Sequence, residues 1–226
     1  MWKKILFFSL LVSSLSFSQT ILDYYNEYFK LIKAGKIKDD LKFYKISRKN
    51  NKYYTISCNG EEMDVVVDIK NGYLDVVDEG TGGGTYEIYM ALFKSSDKKD
   101  YVLIYQSSMD GIGIDQSNLY CYKVENQEWK DVKKEIFAEN FWKGFFKEDF
   151  YNKNKTKIDN FFKNNQRALL YSLPRYGTDL SLELNYTMGY YLQENEANFF
   201  AKMKENLNTE KLILKWDREK AQFLPK

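Results

Sequence analysis

EEMDVVVDIKNGYLDVVDEGTGGGTYEIYMALFKSSDKKDYVLIYQSSMDGIGIDQSNLYCYKV, residues Glu61 to Val124, is the stretch on which the fold turns. Short apolar or alternating runs in it are cut by Asn71-Gly72, by the glycine-rich run Gly80 to Gly84 and by Asp110-Gly111, the punctuation of strands joined by turns. Met63, Val65, Val67 and Ile69 alternate with Asp64, Val66 and Asp68, which predicts a strand with an acidic, solvent-facing side. Tyr73 to Val77 returns as its hairpin partner. Tyr86 to Phe93, Tyr101 to Gln106 and Leu119 to Val124 follow as further strands, and Trp129 to Asp131 closes a last hairpin. Every connection is short, whereas a parallel crossover needs about a dozen residues. A mostly antiparallel sheet, a meander of hairpins, is the expectation.

Upstream, Ile21 to Lys33 places Ile21, Tyr24, Tyr28, Leu31 and Ile32 on one side at helical spacing, with Thr20 and Asp23 set to cap its start and Gly35 its end. Leu41 to Ser47 and Tyr53 to Cys58 read as two strands around Lys49-Asn50-Asn51, and Asn59-Gly60 as the next turn. Downstream the character changes. Val132 to Phe150 suggests one or two short helices, and Lys157 to Leu173 a longer one stopped by Pro174. Thr178 to Tyr186 alternates again, Glu194 to Leu207 is helical, and Lys211 to Trp216 with Lys220 to Phe223 suggests a closing hairpin. The fold class is therefore α+β: an antiparallel sheet flanked by an N-terminal helix and C-terminal helices. Residues 19–226 are expected to form one domain, with 133–226 either extending the sheet or making a helical/β lobe.

The first residues, MWKKILFFSLLVSSLSFSQT, have the three parts of a secretory signal: Lys3 and Lys4, an apolar run over Ile5 to Val12, and small polar residues allowing cleavage after Ser18. No later run is long enough to span a bilayer. Export to the periplasm or beyond is the expected localisation, with no membrane span once the signal is removed. The chain holds 34 basic and 32 acidic residues, and the leader carries two of the basic ones, leaving 34 − 2 = 32 against 32. Such a balance offers no electrostatic footprint for nucleic acid. Histidine is absent, which removes Ser-His-Asp and Cys-His catalysis and the usual zinc ligands. No metal and no cofactor is expected.

Cys58 and Cys121 have two readings. In an oxidising compartment they form one disulfide, worth about 4 kcal/mol on a loop-entropy estimate; otherwise they are two buried thiols at strand ends.

The glycine run invites comparison with phosphate loops, but Gly82, Gly83 and Gly84 lead into TYEIYMALF, a β-like run, with neither the lysine nor the helix such loops require. A connection, or a loop touching a small ligand or partner, is what it supports. Asp64, Asp68, Asp75, Asp78 and Glu79 concentrate carboxylates on one hairpin and its exit. If they converge they could hold a cation or hydrolyse a glycosidic bond. Asp110 and Asp115 flank glycines, but Ile112 and Ile114 occupy positions where a calcium loop needs oxygen ligands.

The composition and the leader ending Ser16-Phe17-Ser18-Gln19 resemble those of uncharacterised exported proteins of the Bacteroidetes. The segment GYLDVVDEGTGGGTYEIYMAL, with YVLIYQSSM and QSNLYCYKVENQEWKDV, is similar to β-rich secreted domains found there. The resemblance covers Gly72 to Val132 and implies location and architecture, with no assigned activity. Two functions follow: an exported non-catalytic domain that binds a protein, peptide or glycan through sheet-edge loops, or a carboxylate-dependent envelope glycan hydrolase.

Overall fold

Alternation in the middle of the chain becomes an eight-stranded antiparallel sheet whose strands lie in sequence order. They are β1 (Ser47–Lys49), β2 (Lys52–Ile56), β3 (Glu62–Asp68), β4 (Tyr73–Asp78), β5 (Thr85–Lys94), β6 (Asp100–Met109), β7 (Ile114–Glu125) and β8 (Glu128–Asp131). The protein is seen in a computed structural model that describes residues 19–39, 42–57, 59–80 and 84–226. The expected leader, residues 1–18, lies outside the described residues, as do Cys58, Gly82 and Gly83.

Helix α1 (Ile21–Lys33) covers one face of the sheet. Its start is a reciprocal capping box: the Asp23 N–H donates to Thr20 Oγ1 at 3.2 Å, and the Thr20 N–H donates to the Asp23 carboxylate at 2.8 Å. Ile21, Tyr24, Tyr25, Tyr28 and Phe29 are buried, a stripe wider than the expected one because Tyr25 and Phe29 join it. At roughly 1.5–3 kcal/mol per buried large side chain, this stripe accounts for on the order of 10 kcal/mol of gross burial. It packs on Leu74, Val76, Ile88, Met90, Val102 and Ile104.

The opposite parity of the same strands, Tyr73, Ala91, Phe93, Leu103, Tyr105, Leu119 and Cys121, faces the C-terminal third of the chain. There α2 (Lys133–Ile136), α3 (Glu148–Asn164) and α4 (Glu194–Glu205) pack with a second antiparallel sheet of β9 (Leu169–Ser172), β10 (Asp179–Leu184), β11 (Lys211–Asp217) and β12 (Gln222–Pro225), in the order β12-β11-β10-β9. The two layers are joined by specific bonds. Ser117 Oγ donates to Leu169 O at 2.6 Å, and Trp216 Nε1 donates to Lys94 O at 3.0 Å. Asp159, buried at the centre of this layer, accepts from Trp142 Nε1 at 2.8 Å and from the Tyr151 hydroxyl at 2.9 Å. Among the described residues no helix is long and apolar enough to cross a membrane.

Four expectations need correction. Of the strand expected over Leu41 to Ser47, Leu41 lies outside the described residues and Lys42 to Ile46 is not strand: β1 begins only at Ser47, and Tyr44 instead tucks under α1, where Tyr25 donates its hydroxyl to Tyr44 O at 2.8 Å. The helix expected over Lys157 to Leu173 starts and stops earlier, and Leu169–Ser172 is strand β9. Its three apolar residues satisfy a buried strand as well as a helix face, and pairing with β10 decides between them. The acidic side of β3 does not simply face water, because Val66 packs against the C-terminal core and Asp68 binds Arg175. The Cys58–Cys121 bridge is not supported. Cys121 is a free thiol, buried on the C-terminal side of β7, with β3 to β6 standing between that strand and β2. Burial pushes the Cys121 thiol well above its ordinary range.

Candidate functional site

In an up-and-down meander, alternate turns gather at the same end of the sheet. Here the ends of β2, β4 and β6 and the starts of β3, β5 and β7 share one end, with the 110–113 turn, and the turns at 50–51, 69–72, 95–99 and 126–127 share the other. The first end carries exposed apolar side chains: Ile56 at the end of β2, Met109 at the end of β6, and Ile112, which is 65% exposed. A 3-10 turn at Tyr186–Tyr191, arriving from β10, adds Tyr186 and the 74% exposed Tyr190.

The 110–113 turn is held by a network of hydrogen bonds. Asp110 Oδ1 accepts from the backbone N–H of Ile112 at 2.8 Å and of Gly113 at 2.9 Å, and from the Tyr191 hydroxyl at 3.0 Å. Those backbone donors hold the Asp110 carboxyl below the usual range. Thr187 Oγ1 accepts from the Ile114 N–H at 3.1 Å and donates to Asn185 Oδ1 at 2.7 Å. Asn185, 1% exposed, donates through Nδ2 to Ile114 O and to Arg167 O. The Arg167 guanidinium lies 5.3 Å from the Tyr191 ring centre. The turn is braced on both sides and displays Ile112 in water.

The carboxylates singled out in the sequence do not converge. Asp64 is exposed on β3. Asp68 accepts from Arg175 Nε at 3.1 Å and from Asn71 Nδ2 at 2.9 Å; with the Asn71 bond foremost, these donors lower its carboxyl. Asp75 shares that face, opposite Val66 and Tyr89 in register. It is half-buried, and burial raises its carboxyl above the usual range against hydrogen bonds from Tyr73 and the Val66 backbone. Asp78, three residues on, points to the other face, where it is 2% exposed and accepts from the Tyr44 hydroxyl at 2.8 Å and Lys42 Nζ at 3.2 Å. Glu79 is exposed. Asp115 accepts from Ser108 Oγ at 2.7 Å. At Gly84, just before β5, an added Cβ would sit 3.2 Å from Met109 O. Gly84 thus lies beside Met109, the residue before the 110–113 turn.

Glu87 was not singled out in the sequence, yet it is the acidic neighbour of Asp75 on the same sheet face. It accepts from Ser107 Oγ at 2.8 Å and acts electrostatically on Asp75. Its only sequence signal was alternation with Tyr89 in TYEIYM. Asn185, expected as the polar side of the strand over Thr178 to Tyr186, instead follows the end of β10; Thr187, Tyr190 and Tyr191 were also missed, since TMGYY has no strand or helix period and nothing local placed it against the 110–113 turn. Among the described residues no group of three or more Cys, Asp or Glu side chains is arranged to hold a metal ion. Three cavities, of about 530, 790 and 960 Å³, lie elsewhere and are lined by neither Asp75 nor Glu87.

No family model matches the chain, and no curated protein does so. Among solved structures, a domain of an uncharacterized protein from Porphyromonas gingivalis W83 is similar to it, with 14% sequence identity over 89% of this chain and 88% of that one and a TM-score of 0.45.

Proposed function

We propose that this chain is an exported, non-catalytic recognition domain that binds a partner protein at the loop end of its large sheet. The observation that carries this reading is Ile112, displayed in water on a turn braced by Asp110, Thr187 and Tyr191, with Tyr190 exposed in the turn that braces it. Exposed apolar groups gathered at one place mark interaction surfaces, and a fixed backbone lowers the ordering cost of binding. The exposed set mixes aliphatic Ile56, Met109 and Ile112 with the rings of Tyr186 and Tyr190; a sugar would use only the rings, so a polypeptide suits the mixed surface better than a glycan. Export rests on the leader of Lys3, Lys4 and the Ile5 to Val12 run; the expected mature terminus is Gln19, read by N-terminal sequencing of the protein from its native cells.

The test is photo-crosslinking in those cells. A photoreactive residue at Ile112 or Tyr190 is expected to give the same discrete adduct, and one at Lys70, exposed at the opposite end of the sheet, is not. The same adduct pattern from all three positions, or none from Ile112 and Tyr190, overturns the reading.

A second reading, a carboxylate-dependent glycan hydrolase, draws on Asp75 and Glu87, where a raised carboxyl stands near a second acid. What weakens it is that neither side chain lines any of the three cavities described above; both lie on a sheet face whose neighbours are Tyr73, Tyr89 and Ser107. Release of reducing ends from envelope glycan by the wild type, lost in Glu87→Gln, would favour it over the binding reading.

A further inference from the structure

Away from the loop end, a cleft of about 790 Å³ opens between α2, α3 and β9. Its wall is a continuous run of rings. Phe137 and Phe141 have centroids 5.0 Å apart, Phe141 and Trp142 5.1 Å, and Trp142 and Phe162 5.4 Å. Tyr171 completes the lining from β9. A space of this size with apolar walls and few polar groups is the usual form of a small-molecule site.

The polar groups in it are uneven. Lys133, Lys134 and Lys163 line the cleft against a single acid, Glu139, which stands 4.0 Å from Lys163. Neither Lys133 nor Lys134 forms an ion pair with a described residue. Lys133 is only partly exposed, and loss of hydration pushes its amine down from the usual lysine range. Asn140, also in the lining, has a buried Oδ1 with no hydrogen-bond partner. Asp131 acts on the Lys133 amine electrostatically but forms no ion pair with it, and a partly desolvated cation without a direct partner, like a buried acceptor without a donor, is costly unless something completes it.

We propose that this cleft binds a small apolar carboxylate, its aromatic or aliphatic body against Phe141 and Trp142 and its carboxylate on Lys133 Nζ. A single charge is favoured because Lys133 is the one partly desolvated lysine in the lining, Lys134 being exposed and Lys163 standing beside Glu139. A hydroxyl or amide donor on the ligand would satisfy Asn140 Oδ1.

The probe is 2-naphthoate, titrated calorimetrically into the purified protein, with the neutral isostere 2-naphthamide alongside. Saturable binding of naphthoate is expected with Kd on the order of 0.1 mM, and naphthamide should bind about tenfold more weakly. Lys133→Met should weaken naphthoate by about tenfold or more while leaving naphthamide unchanged. Ala138→Trp, which fills the space from an exposed lining position, should abolish both. Both variants are judged on protein retaining the wild-type thermal transition. If Lys133→Met loses that transition, the contrast between naphthoate and naphthamide on the wild type decides. No saturable heat from naphthoate, equal affinity for the two probes, or unchanged affinity in a folded Lys133→Met variant overturns the proposal.

Discussion

Asp75 and Asp78 sit in one strand, three residues apart, and live in opposite environments because odd spacing sends them to opposite faces. Asp78 is enclosed under α1 with Tyr44 and Lys42. Asp75 lies under the C-terminal layer, among the described residues without an ion-pair partner at hydrogen-bond distance, and burial is the main influence on its carboxyl. Its folded pKa therefore lies above the ordinary 3.8, so the folded state holds the proton more tightly than the unfolded chain. The stability it contributes is complete below pH 3.8 and is lost as pH rises through the folded value. Asp75→Asn removes that loss while keeping an oxygen to accept from Tyr73. The variant should melt about 2 °C above wild type at pH 7, a modest gain because the side chain is partly hydrated, and the two should converge near pH 3. Paired thermal melts across that range test it; a variant less stable than wild type at pH 7 contradicts this account of Asp75.

At the scale of the element, the 110–113 turn shows why a local signal can be right and still say little. Asp110-Gly111 marked a turn, and the turn is there, with Asp110 accepting from the two N–H groups that follow it. Gly113 is a different matter. An added Cβ would lie 2.4 Å from Thr187 Cβ and 2.5 Å from Thr187 Oγ1, so this glycine makes room for a residue 74 positions away. Gly113→Ala must displace Thr187 and with it the bonds to the Ile114 N–H and to Asn185. A cost of about 1–3 kcal/mol is expected, or a fall of roughly 3–10 °C in the melting temperature. Faster hydrogen exchange at the Ile114 amide should accompany it and would separate this cause from general loosening. The same contrast explains what the sequence revealed of the fold and the site. Period two, Asn-Gly turns and the Thr20 cap are local, and they gave β3 to β7 and α1. Leu169–Ser172 was misread as helix because its strand state depends on pairing with β10. The carboxylate hairpin drew attention through composition, whereas the surface proposed to bind depends on a distant 3-10 turn that no local pattern announces.

The whole molecule is a sheet held between two cores, and β6 belongs to both. Val102 and Ile104 pack toward α1, Leu103 and Tyr105 toward the C-terminal layer, and all four are buried. Ten residue pairs join β6 to β5 and ten join it to β7. Neither core can open fully while that strand stays in place, nor can the strand leave without exposing both. We therefore expect one cooperative unit in which damage on one face is felt on the other. Ile104→Ala removes side-chain volume only from the α1 side and should cost about 2–5 kcal/mol. If the cores are coupled through β6, hydrogen-exchange protection falls by the same free energy at α1 amides such as that of Phe29 and at amides pairing β10 with β11, such as that of Leu182. If they are independent, α1 and its side of the sheet lose protection while β10 and β11 keep theirs. The hairpin of β1 and β2 is outside this argument, since β1 is a three-residue edge strand and largely exposed. Its amides should exchange through local opening in wild type and variant alike, which makes it the internal control.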